Sequence, residues 1–261
     1  MIDYGILITE HWLLNVARYQ IILAYDGSDL SGSQRQANSR TAQSEFENAL
    51  RRLGWQGRSV FMAGRTDTGV HALGQVAAFD LEWTHPLDEL VRAINSHLPP
   101  DLAARAAKLV PDDFHPRFDA LARRYRYRLY CQPIRDPLRD RYAWRLWPAP
   151  QPEVLRLVAE LLIGKHDFAA FGTPPRPGKS TVRTVMKAEW QQQGDEWTFE
   201  VQADAFLYRM VRRMVYIQVT AGQGKLPVNA ITKLLEGRAQ VTPAGLAPAR
   251  GLTLVEVIYP E

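Results

Sequence analysis

One stretch of the chain has the residue types of a catalytic loop: Gly64-Arg65-Thr66-Asp67-Thr68-Gly69-Val70-His71-Ala72-Leu73-Gly74. It sets a single carboxylate, Asp67, two residues after an arginine, between glycines and ahead of an apolar run. Glycine tolerates φ > 0 and lets the backbone come close to another molecule. An arginine at this spacing can pair with the carboxylate and keep it ionised. A fixed, ionised carboxylate serves covalent or electrostatic catalysis at a sugar carbon. The same residues also read as a hairpin loop in which Asp67 caps the turn. Asp67-Thr68-Gly69 is also the signature triplet of aspartic proteases, but that chemistry takes two carboxylates sharing a proton. The chain has no second such triplet, and Arg65 opposes a shared proton.

A second candidate is Arg123-Arg124-Tyr125-Arg126-Tyr127-Arg128-Leu129-Tyr130. Read as a strand, it sends Tyr125, Tyr127 and Leu129 to one face and Arg124, Arg126 and Arg128 to the other. Three arginines on one face need water, carboxylates or phosphates. The aromatics opposite serve as core or as a platform for an unstacked base. His166-Asp167 has the form of a proton-shuttling dyad, but no serine or cysteine motif accompanies it.

The elements that must position these residues follow an α+β order. Strands are expected at Arg18 to Tyr25 and at Gln75 to Leu81, leaving the Asp67 loop. Helices are expected at Thr41 to Leu53, with Thr41 as N-cap, and at Leu87 to Leu98, stopped by Pro99-Pro100. The order then begins again. Strands near Arg123 to Tyr130 and Val182 to Trp190 flank a helix at Pro152 to Leu162, closed by Gly164. Trp197 to Ala203 is a strand and Phe206 to Ala221 a helix. Asn229 to Glu236 is a short helix, and Leu252 to Tyr259 the last strand. The pattern predicts residues 1–17 as an N-terminal extension, an α+β half over 18–110 carrying the Asp67 loop, and a second α+β half over 111–261.

Composition bounds the function independently. A chain of 261 residues, 46% of them hydrophobic, can bury one large core or two smaller ones. No apolar run approaches the roughly 18 residues of a membrane span, and the leading residues lack the basic start and cleavage site of a signal peptide. Cys131 is alone, which excludes an internal disulfide and any multi-cysteine metal site and points to a reducing, cytoplasmic setting. No histidine pair at metal spacing, Walker loop or GxGxxG motif is present, so neither metal nor cofactor is expected. The net charge is +4; of the 32 basic residues only 6 are Lys, leaving 26 Arg. Arginine favours phosphate contact and base stacking, although codon usage in a GC-rich genome gives the same excess.

Along most of its length the chain resembles a known family. Ala63 to Phe79 (AGRTDTGVHALGQVAAF) is similar to the catalytic motif of tRNA pseudouridine synthases of the TruA family. Tyr25-Asp26-Gly27-Ser28 and Gln34-Arg35-Gln36 resemble its first strand and following loop, and Arg40-Thr41-Ala42-Gln43 its first helix start. Ala122 to Tyr127 (ARRYRY), Gly164 to Phe171 (GKHDFAAF), Phe206 to Arg212 (FLYRMVR) and Ala247 to Leu254 (APARGLTL) follow in the family's order.

The resemblance implies an isomerase that turns uridine into pseudouridine at positions 38–40 of the tRNA anticodon arm, acts as a homodimer, and needs no cofactor. Its two halves would form one platform with antiparallel or mixed sheets, flanked by helices, around a central basic cleft. Asp67 would be the catalytic carboxylate, either attacking the sugar carbon or removing a sugar proton. Arg65 would support the flipped nucleotide while pairing with Asp67, Tyr125 would lie against the uracil, Arg212 would pair with Asp67 across the cleft, and Leu252 would close the pocket from below. His71, Arg124, Arg126, Lys165, His166 and Arg209 are candidates for RNA contact.

Two departures from the family pattern stand out. Gly32-Ser33-Gln34 replaces the usual Gly-Trp-Gln, and the helix after Arg212 carries Arg213 and Tyr216 where an Asn and then a Gly are usual. They bear on substrate range and dimer contacts more than on the reaction. The alternative function is an RNA-binding relative of the same fold that has lost catalysis or changed its specificity.

Overall fold

A computed structural model describes residues 16–174, 176, 178–238 and 243–260. The first set of elements is β1 (Val16–Tyr25), α1 (Ala42–Arg52), β2 (Phe61–Met62), β3 (His71–Glu82), α2 (Leu87–Asn95) and β4 (Leu102–Val110). The second is β5 (Ala122–Cys131), β6 (Trp144–Leu146), α3 (Pro152–Leu161), β7 (Gly164–Asp167), β8 (Val182–Gln193), β9 (Glu196–Ala203), α4 (Met210–Gly222), α5 (Val228–Leu235) and β10 (Leu252–Ile258). A 3-10 turn, Ala249–Gly251, leads into β10.

All ten strands form one sheet, ordered β4-β1-β3-β10-β5-β9-β8-β7, with β2 paired to β3 and β6 to β5. The fold is therefore the expected α+β platform with mostly antiparallel pairing. Its two sets of strands meet where β10 runs parallel to β3, with Thr253 opposite His71 and Leu254 opposite Ala72. Gly74 lies beside that seam. A Cβ on it would stand 2.3 Å from the carbonyl oxygen of Val255, so only glycine lets the strands approach. Apolar residues gather into two cores. Ile21, Leu23, Phe46, Leu50 and Phe79 belong to one under α1 and α2, while Tyr127, Phe168, Phe199, Met214 and Leu254 belong to the other.

Local signals explain most element boundaries. Thr41 caps α1 in a capping box with Ser44. The α2 helix ends at Asn95, short of Leu98, and the Asn95 amide bonds the backbone of Ala104 in both directions, at 2.9 and 2.8 Å. Likewise α4 begins at Met210 rather than Phe206. Arg209 sits in the left-handed region (φ 62°) and Tyr208 pairs with Thr173 in an isolated bridge. Gly164 ends the α3 connection and also opens β7. β4, unforeseen in the sequence, is an Ala-rich edge strand with a single β-branched residue, Val110; only Leu102 and Ala104 of it are buried. Val16 and Ala17, expected in the extension, already belong to β1, and the rest of that segment, residues 1–15, lies outside the described residues.

Substituting Ala at Gly74 should destabilise the protein by about 1–3 kcal/mol through overpacking at the seam. Urea unfolding would measure it, and an unchanged midpoint would mean that the two strands are not held this close.

Candidate active site

Around Asp67, Gly64, Thr66 and Val70 are each held by a hydrogen-bond partner. Gln75, fully buried on β3, receives the Gly64 N–H at 3.3 Å and donates to the Gly64 carbonyl at 2.9 Å. Ser33 Oγ accepts from the Thr66 N–H at 2.8 Å, and the Ser33 N–H donates to the Thr66 carbonyl at 3.1 Å. The buried Tyr25 hydroxyl lies 2.9 Å from Thr66 Oγ1, and burial pushes that phenol above its ordinary pKa. A turn closes from the Val70 N–H to the Asp67 carbonyl at 3.1 Å. Gly69 takes the left-handed region (φ 78°). The loop is thus fixed on both sides of Asp67, leaving its side chain to face the opposite wall.

That wall is α4. Arg212 Nη1 donates to Asp67 Oδ2 at 2.7 Å, with side chains 15% and 18% exposed. Arg212 Nε donates to the Ala247 carbonyl at 2.8 Å, which fixes the fork with one arm left for the carboxylate. Arg212 and Asp67 therefore join across the cleft as expected. Arg65 is different: it is exposed at the cavity, and the ion pair of Asp67 is made with Arg212 instead. A spacing of two places side chains on one side only in a regular extended strand; the Asp67 loop is not one, and Arg212, from another element, meets the carboxylate directly.

The cavity between these walls measures about 720 Å³ and includes Asp67, Arg65, Tyr125, Arg209, Arg212 and Leu252 in its lining. Tyr125 on β5 is 8% exposed and meets Phe206 edge to face at 5.1 Å. Burial raises its phenol well above the ordinary value, with Tyr25 and Asp67 adding to the shift and Arg123 opposing it, so the hydroxyl stays protonated at neutral pH. Leu252, the first residue of β10, is buried next to it. Among the described lining residues Asp67 is the one carboxylate, against six arginines: 65, 117, 123, 183, 209 and 212.

The other expected RNA contacts lie elsewhere. Arg124 and Arg126 are on the opposite face of β5, away from Tyr125. Arg124 binds Glu256 at 2.8 Å and Arg126 binds Glu200 at 2.7 Å, while Arg128 approaches Glu196 at 3.6 Å. Of the three partners expected for that face, carboxylates are the ones present. His71 is buried and braces three segments. Its Nδ1 lies 3.0 Å from the Gly27 N and 3.1 Å from Asp26 Oδ1, and its Nε2 3.1 Å from the Arg250 carbonyl. Burial lowers its pKa, against the pull of Asp26 and the Arg250 carbonyl. Lys165 and His166 sit on edge strand β7, where His166 Nε2 meets the Ile163 carbonyl at 2.9 Å and the ring packs edge-on against Phe168.

Sequence reading missed Arg123, Gln75 and the positive role of Ser33. Arg123 is two residues before Tyr125 and so shares its face, a signal present in the alternation. Its guanidinium donates to the carbonyls of Ala120, Asp204, Ala63 and Arg117.

An arginine-lined cavity around one carboxylate suits a protein that handles a polyanion. The tRNA pseudouridine synthase family profile matches residues 21–119 and 158–260. A tRNA pseudouridine synthase A of Methylacidiphilum infernorum is 40% identical over 248 residues, 95% of this chain and 97% of that one. The Chloroflexus aurantiacus protein of the same name is 41% identical over 251 residues, 92% of this chain and 88% of its own length. One from Limosilactobacillus fermentum is 38% identical over 93% of this chain and 96% of its own. The chain belongs to the tRNA pseudouridine synthase family.

Replacing Ser33 by Ala should leave the buried Thr66 N–H without its acceptor, a loss of about 1–3 kcal/mol. It should also lower kcat by roughly tenfold as Asp67 loses its register. Thermal melting and single-turnover rates would show both; normal values would mean the loop is held by other contacts.

Proposed function

We infer that this protein isomerises uridine to pseudouridine in tRNA, acting on positions 38–40 of the anticodon arm. The observation that carries this reading is the Asp67–Arg212 pair, at 2.7 Å, in a cavity whose other charged lining residues are arginines. The reaction breaks the bond from the ribose C1′ to N1 of uracil, turns the base and joins C1′ to C5; the C5 proton then leaves and N1 takes one up, so atoms balance. Neither a redox equivalent nor a nucleotide cofactor enters that balance.

The target base must first leave its stack, at a cost of a few kcal/mol. The arginines supply the counter-charge for the phosphates on either side of the extruded nucleotide. Tyr125 and Leu252 offer an apolar floor for the uracil ring, and the phenol, kept protonated by burial, can donate to or pass a proton from the base. Asp67, fixed by Arg212 and its anchored loop, meets the sugar. Arg65, exposed at the cavity, supports the displaced nucleotide.

A cytoplasmic homodimer belongs to the same reading. Exposed Ile134 and Leu138, between β5 and β6, give it an apolar surface. No helix among the described residues is long and apolar enough to cross a membrane.

Asp67→Asn should abolish tritium release from C5-labelled tRNA while leaving tRNA affinity within a few fold, since the change removes charge and keeps shape. Turnover by the variant at the wild-type rate would refute the role given to Asp67. A wild-type protein that binds tRNA but releases no tritium would be a non-catalytic relative. The two arginine groups should also separate in a salt titration. Arg209→Ala should reduce the slope of log K against log salt by about one, while Arg126→Ala, whose cation already faces Glu200, leaves it unchanged. The reverse pattern would put the RNA on the other face of the sheet.

A further inference from the structure

The connection from β4 to β5 holds a turn that is fixed from several directions. The Phe118 and Asp119 N–H groups both donate to the His115 carbonyl at 3.1 Å, and the His115 N–H donates to Asp119 Oδ2 at 2.7 Å. The Arg117 N–H donates to His115 Nδ1 at 3.1 Å. From outside the turn, Arg18 bonds the Phe114 carbonyl at 3.2 Å, Tyr259 the Pro116 carbonyl at 2.7 Å, and Arg123 the Arg117 carbonyl. A turn anchored this way displays its side chains in one arrangement.

What it displays is apolar and open. Phe118 is 75% exposed, and Phe61, reaching over from β2, is 41% exposed. Their rings are joined by His115, with centroids 5.0 Å from Phe61 and 4.3 Å from Phe118. Arg117 stands 5.9 Å from the Phe118 centroid and has no carboxylate within ion-pair distance among the described residues. All four residues line the same cavity as Asp67. An exposed ring contributes nothing to the core, and fixing it on a rigid turn is favourable only when something covers it. Aromatic faces beside an unpaired arginine match a nucleobase and its phosphate, with little preference among bases because each presents a π-face.

We propose that the Phe61–His115–Phe118 stack binds a second, unpaired nucleobase of the RNA, a neighbour of the extruded uridine, with Arg117 on its phosphate. This rests on the pseudouridine synthase reading and adds a subsite to it. The base stacks on the open face of Phe118 and holds the strand while its neighbour is drawn toward Asp67. The continuity of the aromatic wall with the cavity, and the free charge of Arg117, favour RNA over a second copy of this chain.

The test uses the full chain and an anticodon stem-loop RNA carrying 2-aminopurine at either neighbour of the target uridine. Wild-type protein should quench the probe at one neighbour. Phe118→Ala should abolish that quench and raise KM about five- to tenfold with kcat held within about twofold, the lower range for loss of one stacked base. Phe118→Tyr should keep both, and the melting temperature of each variant should match wild type because the ring is exposed. An intact quench with unchanged KM in Phe118→Ala would overturn the subsite. So would a halved mass for that variant in analytical ultracentrifugation, which would assign the ring to a subunit contact. Tritium release by the wild-type protein is measured first, so a failed isomerase reading is recognised separately: RNA binding that still depends on Phe118 would then keep the stacking site.

Discussion

The contact between Asp67 and Arg212 ties the architecture to the chemistry. One partner comes from the loop between β2 and β3, the other from α4, and the cavity exists because these two elements face each other across the β3–β10 seam. At 2.7 Å, with both side chains largely shielded, the pair is a charge-assisted hydrogen bond in a site of reduced dielectric. Removing either member would leave the other partly desolvated and alone, which costs more than the pair's net contribution to folding. Most of the surrounding contacts serve to keep that geometry: Gln75, Ser33 and Tyr25 under the loop, and the Ala247 carbonyl behind the guanidinium.

Arginine is used in two ways on one sheet. On the outer face of β5 the side chains of 124, 126 and 128 are answered by Glu256, Glu200 and Glu196. Charge there is neutralised within the fold. In the cavity, six arginines meet a single carboxylate, so the electrostatic imbalance is local even though the net charge of the chain is only +4. A mild total thus conceals a concentrated field, and position along the β5 alternation decides to which group an arginine belongs.

Much of this was legible in the residues. Thr41 announced its helix, the alternation from Tyr125 to Leu129 announced a strand with one buried face, and Gly69 marked the turn after Asp67. The Asp67–Arg212 pairing, Tyr125 and Leu252 came from the motif resemblance; spacing alone pointed instead to Arg65. What escaped were features set by tertiary contacts. β4 has Val110 as its one β-branched residue and is held by its pairing with β1. The Asn95 side chain at the end of α2 bonds β4, and Ser33, which reads as the loss of an aromatic, accepts from the Thr66 N–H beside Asp67. That Arg124 and Arg126 face Glu256 and Glu200 could not be read from the alternation, because an open arginine row and a carboxylate-matched one look alike until the neighbouring strands are known.

Arg123 gathers carbonyls from the first set of elements (Ala63), from the connecting segment (Arg117 and Ala120), and from the end of β9 (Asp204). Burial lowers its pKa, with the Asp204 charge only partly opposing it, so these oxygens are the groups that hydrogen-bond the cation. Surface connections ordinarily tolerate insertions and deletions. This one does not have that freedom, since adding a residue between Val110 and Ala122 would pull solvating oxygens off a shielded positive charge. The length of the join between the two sets of strands is accordingly fixed by an electrostatic requirement.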